Sequence, residues 1–310
     1  MISLPEVWDR SRLRSMVSPA TTLWCTRSVR PEVEAYLGMT ASEPSDELPD
    51  SSSTLVVVGG GTLIDRAKVT ARKRAGVTLI AVPSIWGSGA EASPIVVDTT
   101  TAKKSGRLDL RFLPDARVTW PELGMTVSPA RAAVACGDVW AHALEAFLSP
   151  LGSVTARSDA ASLLDELVEL PLSFHPAWFE ASARACAVQA AASVGLVHGI
   201  AHVLELLTRD EGNVRWSHAG LCSNWLSPVL QFDLERAPHL ATRFAEHGIS
   251  LEPVLRRIAE LGDAASLAAQ RAALSSAWRD ILRDPSTRTN CALVRPADLE
   301  YFQRSDVPTS

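Results

Sequence analysis

The 310-residue chain has no Cys-x-x-Cys pair, and its five cysteines, Cys25, Cys136, Cys186, Cys222 and Cys291, are odd in number and widely spaced. That spacing excludes a disulfide framework and a zinc-knuckle pattern and points to a reducing, cytoplasmic setting. An excess of positive charge is also missing. Thirty Lys and Arg stand against 35 Asp and Glu, a net charge of -5, so electrostatics gives no case for a nucleic-acid or membrane partner. The first sixteen residues carry charges throughout and no apolar run, unlike a signal peptide. Only residues 185–204 pass 20 positions without a charge, and they hold six Ala, two His, a Gln and two Gly. Such a mixture suits a buried core helix better than a membrane span. No internal repeat or low-complexity tract is present.

What is there begins with residues 128–147, SPARAAVACGDVWAHALEAF. Ser128 suits a helix N-cap and Pro129 the first helical position, and nothing in the Ala-rich run that follows breaks a helix. On that helix Asp138, His142 and Glu145 fall at i, i+4 and i+7, so a carboxylate and an imidazole share one face a turn apart. This is a chelating pair, although a capped Asp beside a core His would give the same pattern. Residues 177–207 read as one long helix carrying His198 and His202 at i and i+4. His218 follows the loop TRDEGNVRWS. Four of the seven histidines thus join Asp138 in the C-terminal half.

The N-terminal half has a different rhythm. A short apolar strand at 21–25 precedes a helix near 31–37 and a polar loop at 41–53. Residues 55–58 are continuously apolar, as in a buried parallel strand, and run into Gly59, Gly60 and Gly61. A helix over 62–74 follows, with Thr62 and Asp65 spaced like a capping box. A strand, a glycine turn and a helix N-terminus together make an anion site. A second apolar strand at 77–82 leads into PSIWGSGAEAS, with Ser84, Gly87 and Ser88 in another polar turn. Two such turns after successive strands open on one sheet edge, where α/β proteins bind nucleotides. A Walker loop is excluded because no Gly-Lys-Ser/Thr ending is present, and a Rossmann fingerprint because Ile64 stands where its last Gly belongs. Strand patterns, including one near 94–98, stop near residue 127, and helices are expected at 156–170, 222–234 and within 251–282. The fold class expected is therefore an α/β nucleotide-binding domain, residues 1–127, followed by an all-helical domain, residues 128–310.

Six segments resemble motifs of the iron-containing alcohol dehydrogenases. GGGTLIDRAK is similar to their GGGSxxDxAK, PSIWGSGAE to PTTxGTGSE, and CGDVWAHALEAF to GxDAxxHxxE. GLVHGIAH and SHAGLCSNWLSPVL resemble their HxxxH and HGxxNxxLLPxV segments, and DPSTRTNCALVRPADL their closing segment. The resemblance implies a dehydroquinate-synthase-like fold: an N-terminal dinucleotide-binding α/β domain and an all-α C-terminal domain with a cleft between them. It also implies one divalent ion, Fe(II) or Zn(II), on Asp138, His142, His198 and His218, with His202 as a proton relay. NAD or NADP would lie over Gly59, Gly60, Gly61, Thr62 and Asp65, with Ser84, Gly87, Ser88, Lys104 and Arg27 completing its site. Lys68 is read either as a cofactor contact or as a solvated side chain.

The chain departs from the family pattern in ways that bear on function. It is shorter, chiefly between Trp24 and Leu55 and before His198, which predicts a wider substrate site. Thr26 and Arg27 replace the carboxylate expected to hold the adenosine ribose, which favours a 2′-phosphate and hence NADP. Trp86 replaces a small residue of the second turn, and Ala219 with Gly220 replaces the His-Gly step; both bear on the cofactor pose. Arg209 and Arg215, in the loop before His218, are candidates to receive a substrate carboxylate bidentately. A compact branch of natural-product dehydrogenases resembles this form, including enzymes that oxidise the C-terminal Thr of a ribosomal (daptide-type) peptide. The partners expected are thus an alcohol or hydroxy-acid substrate, a peptide C-terminus among the latter, and a second copy in a homodimer. The competing readings are a cyclase or lyase of the dehydroquinate-synthase type and a non-catalytic partner subunit that keeps the fold.

Overall fold

The computed structural model describes residues 4–98, 105–210 and 213–304. The chain divides into two compact units, one comprising Ile2–Pro129 and Phe174–Ala190, the other Ala130–Ser173 and Ala191–Ser310. The last strand of the sheet ends at Thr119 and the first unit runs on to Pro129, while the segment Phe174–Ala190 packs with this unit rather than with its helical neighbours in sequence.

The first unit contains, in chain order, β1 (Glu6–Asp9), α1 (Arg10–Met16), β2 (Thr21–Cys25), α2 (Arg30–Leu37), β3 (Thr54–Gly59), α3 (Gly61–Ala71), β4 (Thr78–Pro83), β5 (Ile95–Asp98), β6 (Ser105–Leu108) and β7 (Ala116–Thr119). Five strands form one parallel sheet in the order β1-β7-β4-β3-β2. The continuous apolar runs have a direct cause: both faces of the sheet are covered. Val56, Val58, Ile80 and Val82 face a core with Leu13, Leu23, Val33 and Trp120. Leu55, Val57, Leu79 and Ala81 face a second core with Trp24, Ile64 and Ala67. The edge strand β1, EVWD, is polar and short, and neither it nor α1 stands out by periodicity.

The second unit is helical: α4 (Pro129–Leu148), α5 (Val154–Glu169), the end of α6 (Ala177–Ala192), α7 (Leu196–Leu207), α8 (His218–Arg236), α9 (His239–Glu246), α10 (Leu251–Glu260), α11 (Ala264–Ile281), α12 (Pro285–Arg288) and α13 (Leu299–Gln303). A two-stranded ribbon, β8 (Arg209–Asp210) with β9 (Asn213–Val214), joins α7 to α8. The single helix expected over 177–207 is in fact two. α6 ends at Ala192, Ser193 takes φ 99°, and Gly195 caps the start of α7. The break is stable because the freed amides are satisfied by side chains. Leu196 N–H donates to Asn290 Oδ1 (2.9 Å) and Val197 N–H to Glu145 Oε1 (2.6 Å). No single described helix is long and apolar enough to cross a membrane.

Candidate functional site

In the first unit the glycine turns leave the carboxyl ends of β3 and β4, which are paired in register through Gly59 and Pro83. They therefore lie side by side. Ser84 N–H donates to Gly59 O (3.1 Å), and a Cβ placed on Gly61 would collide with the side chain of Ser88. Glycine at 61 is what lets the two turns touch. Gly60 is the N-cap of α3 and gives no side-chain cap, while Thr62 is exposed in the first turn. The amides of this helix start thus keep their anion-binding character. Thr26 and Arg27 follow β2, the next parallel strand, and Arg27 is exposed at the same sheet edge.

Three expectations change here. Thr62 and Asp65 do not form a capping box: Asp65 accepts from Lys68 Nζ (3.0 Å) and from Val97 N–H (3.0 Å). Lys68 is not solvated; it is fully buried and also donates to Ile95 O (2.8 Å). The pair ties α3 to β5, so Lys68 and Asp65 build the floor of the turn. Trp86 is buried in the same unit against Phe179 and Phe174, with ring centroids at 5.6 and 6.1 Å, while Gly87 N–H donates to Ser182 Oγ (3.0 Å). Trp86 anchors the second turn from below. Lys104 lies outside the described residues.

In the second unit α4, α7 and α8 converge. Gly137, one residue before Asp138, packs against Ser223 of α8 so closely that any Cβ there would overlap the Ser223 side chain. The contact brings Asp138 opposite the first turn of α8. Asp138 Oδ1 then lies 3.8 Å from His142 Nδ1, 3.7 Å from His198 Nε2 and 3.8 Å from His218 Nε2. Asp138, His142 and His198 are buried, and the side chain of His218 is 24% exposed. The candidates named from sequence are thus brought together. A set of donors lying within 4.8 Å of one another consists of Asp138, His198, His218 and Cys222; Cys222 Sγ stands 3.8 Å from His218 Nε2.

Behind these side chains lie carboxylates. His198 Nδ1 is 2.6 Å from Glu145 Oε2, and His218 Nδ1 is 3.3 Å from Glu205 Oε2. A carboxylate at Nδ1 holds the proton there, so that Nε2 carries the lone pair. His202 Nδ1 stands 3.4 Å from Asp284 Oδ2, at the N-cap of α12. Burial alone would raise the Asp138 carboxyl, but His142, His198 and His218 draw it well below the ordinary range. Burial lowers His198, whereas Glu145 and Asp138 together raise it to about 9. Asp138 Oδ1 and His198 Nε2 are nevertheless buried with no hydrogen-bond partner among the described residues. Buried polar atoms seldom go unmet, and a lone pair and a carboxylate oxygen aimed at one point fit a cation.

In the sequence Glu145 shares the face of Asp138 without an assigned task, and Glu205, Cys222 and Asp284 have none. Glu205 sits at i+7 from His198 and Cys222 at i+4 from His218, so helical spacing held the signal; Asp284 is remote in sequence and carried none. Arg215 is exposed, its guanidinium 4.8 Å from the centroid of the Trp216 ring. For Arg209 the structure gives the backbone pairing with Val214.

No family model matches the chain. Over 207 residues it is 29% identical to the 1-propanol dehydrogenase PduQ of Salmonella typhimurium, a match covering 60% of this chain and 53% of that protein. Against the NAD-dependent methanol dehydrogenase of Bacillus methanolicus it is 27% identical over 204 residues, covering 62% and 53%. The chain spans about half the length of these curated relatives. The solved iron-containing alcohol dehydrogenase of Corynebacterium glutamicum matches with a TM-score of 0.75 at 20% identity, covering 97% of this chain and 94% of that one. The fold is that of the iron-containing alcohol dehydrogenases, with a parallel-sheet unit and a helical C-terminal region. The two sequence relatives are named as a 1-propanol dehydrogenase and a methanol dehydrogenase.

Proposed function

We propose that the chain is a metal-dependent, NAD(P)-linked alcohol dehydrogenase that exchanges hydride between a hydroxyl-bearing carbon and nicotinamide. The observation that carries this reading is the convergence of Asp138 Oδ1 with the Nε2 atoms of His198 and His218, two of the three atoms being buried and unmet. Asp138, His142, His198 and His218 would hold one divalent ion, Fe(II) or Zn(II). Such an ion supplies Lewis-acid polarisation of a substrate hydroxyl. His202, whose Nδ1 faces Asp284, would carry the hydroxyl proton away. Burial raises Asp284, but its bond to His202 keeps the carboxyl below its ordinary value, as a relay's orienting base requires. Backbone amides at Gly59–Thr62 and the turn carrying Ser84, Gly87 and Ser88 would bind the dinucleotide phosphates. Arg27, exposed after β2, favours a 2′-phosphate and hence NADP.

The substrate reading is narrower. Arg215 stands three residues before His218 and is exposed, so it can receive a carboxylate. A β-hydroxy acid, such as the C-terminal Thr of a peptide, would be oxidised at its hydroxyl to a β-keto acid. Loss of CO2 would then leave a ketone. The experiment is elemental analysis of the purified protein and its His142→Ala variant, with NAD- and NADP-linked assays of short alcohols and a Thr-terminated peptide. One equivalent of metal, diminished in His142→Ala, supports the site, and a peptide product lighter by CO2 and two hydrogens supports the substrate. Equal metal in both proteins overturns the ligand assignment, and turnover of short alcohols alone rejects the peptide.

A further inference from the structure

Cys222 follows His218 by one helical turn on α8 and is fully buried. Its Sγ, one oxygen of Asp138 and one ring nitrogen each of His198 and His218 all lie within 4.8 Å of one another, with Sγ 3.8 Å from His218 Nε2. Two donors held about 2.0–2.3 Å from a tetrahedral ion stand about 3.3–3.6 Å apart. The separations of 3.7 and 3.8 Å from Asp138 Oδ1 to the two imidazoles lie close to that edge length. Two of these atoms, Asp138 Oδ1 and His198 Nε2, are buried with no hydrogen-bond partner among the described residues. The three remaining separations, each within 4.8 Å, would shorten by an inward movement of α8 or a rotation about the Cys222 Cα–Cβ bond.

We propose that Cys222 is a thiolate ligand of the ion held by Asp138, His198 and His218, which makes this an oxygen, nitrogen and sulfur site. The proposal rests on the metal reading above and changes its chemistry. On binding, the thiol proton leaves to solvent and the sulfur lone pair enters the coordination sphere. A carboxylate and a thiolate then neutralise a divalent ion, whereas one carboxylate with three imidazoles leaves it a net positive charge. The softer set selects zinc over iron, since thiolate ligands favour Zn(II) while imidazoles bind either. His142, whose Nδ1 is 3.8 Å from the same Asp138 oxygen and whose ring stacks on His198 at 4.7 Å, is the donor that Cys222 would displace or join.

The test uses the whole chain loaded with Co(II), which reports sulfur coordination by a thiolate-to-cobalt charge-transfer band in the near ultraviolet. The band is expected in the native protein and is lost in Cys222→Ser and Cys222→Ala while one cobalt is still bound. Zinc-edge X-ray absorption of the native protein gives a second readout: a sulfur scatterer at about 2.3 Å beside nitrogen and oxygen at about 2.0–2.1 Å. Native protein that binds cobalt without the band, or zinc without the sulfur distance, overturns the thiolate and leaves the metal site standing. A band that persists in both variants assigns the sulfur elsewhere and also overturns it. Failure of the native protein to bind either metal removes the site and the thiolate together.

Discussion

Which nitrogen a histidine offers to a ligand depends on what holds the other one. Glu145 settles this for His198, and its second oxygen takes the Val197 amide at the start of α7, so one side chain positions both the ring and the helix that carries it. Replacing the carboxylate by an amide keeps the shape and removes the charge that fixes the tautomer. Glu145→Gln should lower zinc affinity by about 10–100-fold, the usual range for a lost outer partner of a ligating His. A chelator competition measures this, and far-ultraviolet dichroism should show the helices intact. Arg27 carries a prediction of the same kind. On the proposed reading its exposed guanidinium takes the place of a ribose-binding carboxylate, so Arg27→Asp should reverse a preference for NADP. Titration of both nucleotides decides it, and an unchanged ratio would show that Arg27 does not touch the cofactor.

At the scale of elements the cluster of Asp138 with the histidines exists because two helices touch at a residue with no side chain. A Cβ added to Gly137 on α4 would meet the side chain of Ser223 on α8 and, at 2.8 Å, its Cα. Gly137→Ala must push the helices apart, although it improves helix propensity and alters no ligand. The expected cost is about 1–3 kcal/mol of stability, as for other overpacked contacts, with a clear loss of bound metal. Thermal melts with elemental analysis read the two effects separately. The break between α6 and α7 belongs to the same scale: a continuous helix would bury the amides of Leu196 and Val197 in itself and leave Glu145 and Asn290 without their donors.

For the molecule as a whole, each unit contains a buried acid whose proton it holds unusually tightly. Burial raises Glu91, in the sheet unit, to about 7, against partial relief from its own backbone and from Arg117. It raises Asp233, in the helical unit, to about 7 although Cys291 and Asn290 hydrogen-bond to it. Both folded values exceed the unfolded ones, so the folded protein retains protons that the unfolded chain has released. The stability this gives is present in acid and is lost as pH rises from about 4 through about 7. Asp233→Asn and Glu91→Gln remove one such group each. Their melting temperatures, relative to the unsubstituted protein, should rise between pH 4 and pH 8; differences that stay constant with pH would refute the linkage.

Local chemistry was enough to determine much of this protein. Apolar runs leading into glycine-bearing turns identify β3 and β4 as buried parallel strands, because a strand covered on both faces has no polar side to show. Helical spacing alone put Asp138 with His142, and His198 with His202, on shared faces. Tertiary structure decided the rest. The helix break at Ser193 is invisible in an uncharged, Ala-rich stretch, since no proline or charge interrupts it and Ala continues a helix without a marked face. The buried Lys68–Asp65 pair looks like a solvated surface until Ile95 and Val97 close over it. Asp284 lies 82 positions from the His202 it braces, and Cys222 reaches Asp138 only through the contact of α4 with α8. Sequence spacing orders side chains along one helix, but bringing three helices to one point depends on packing, and packing is a property of the folded chain.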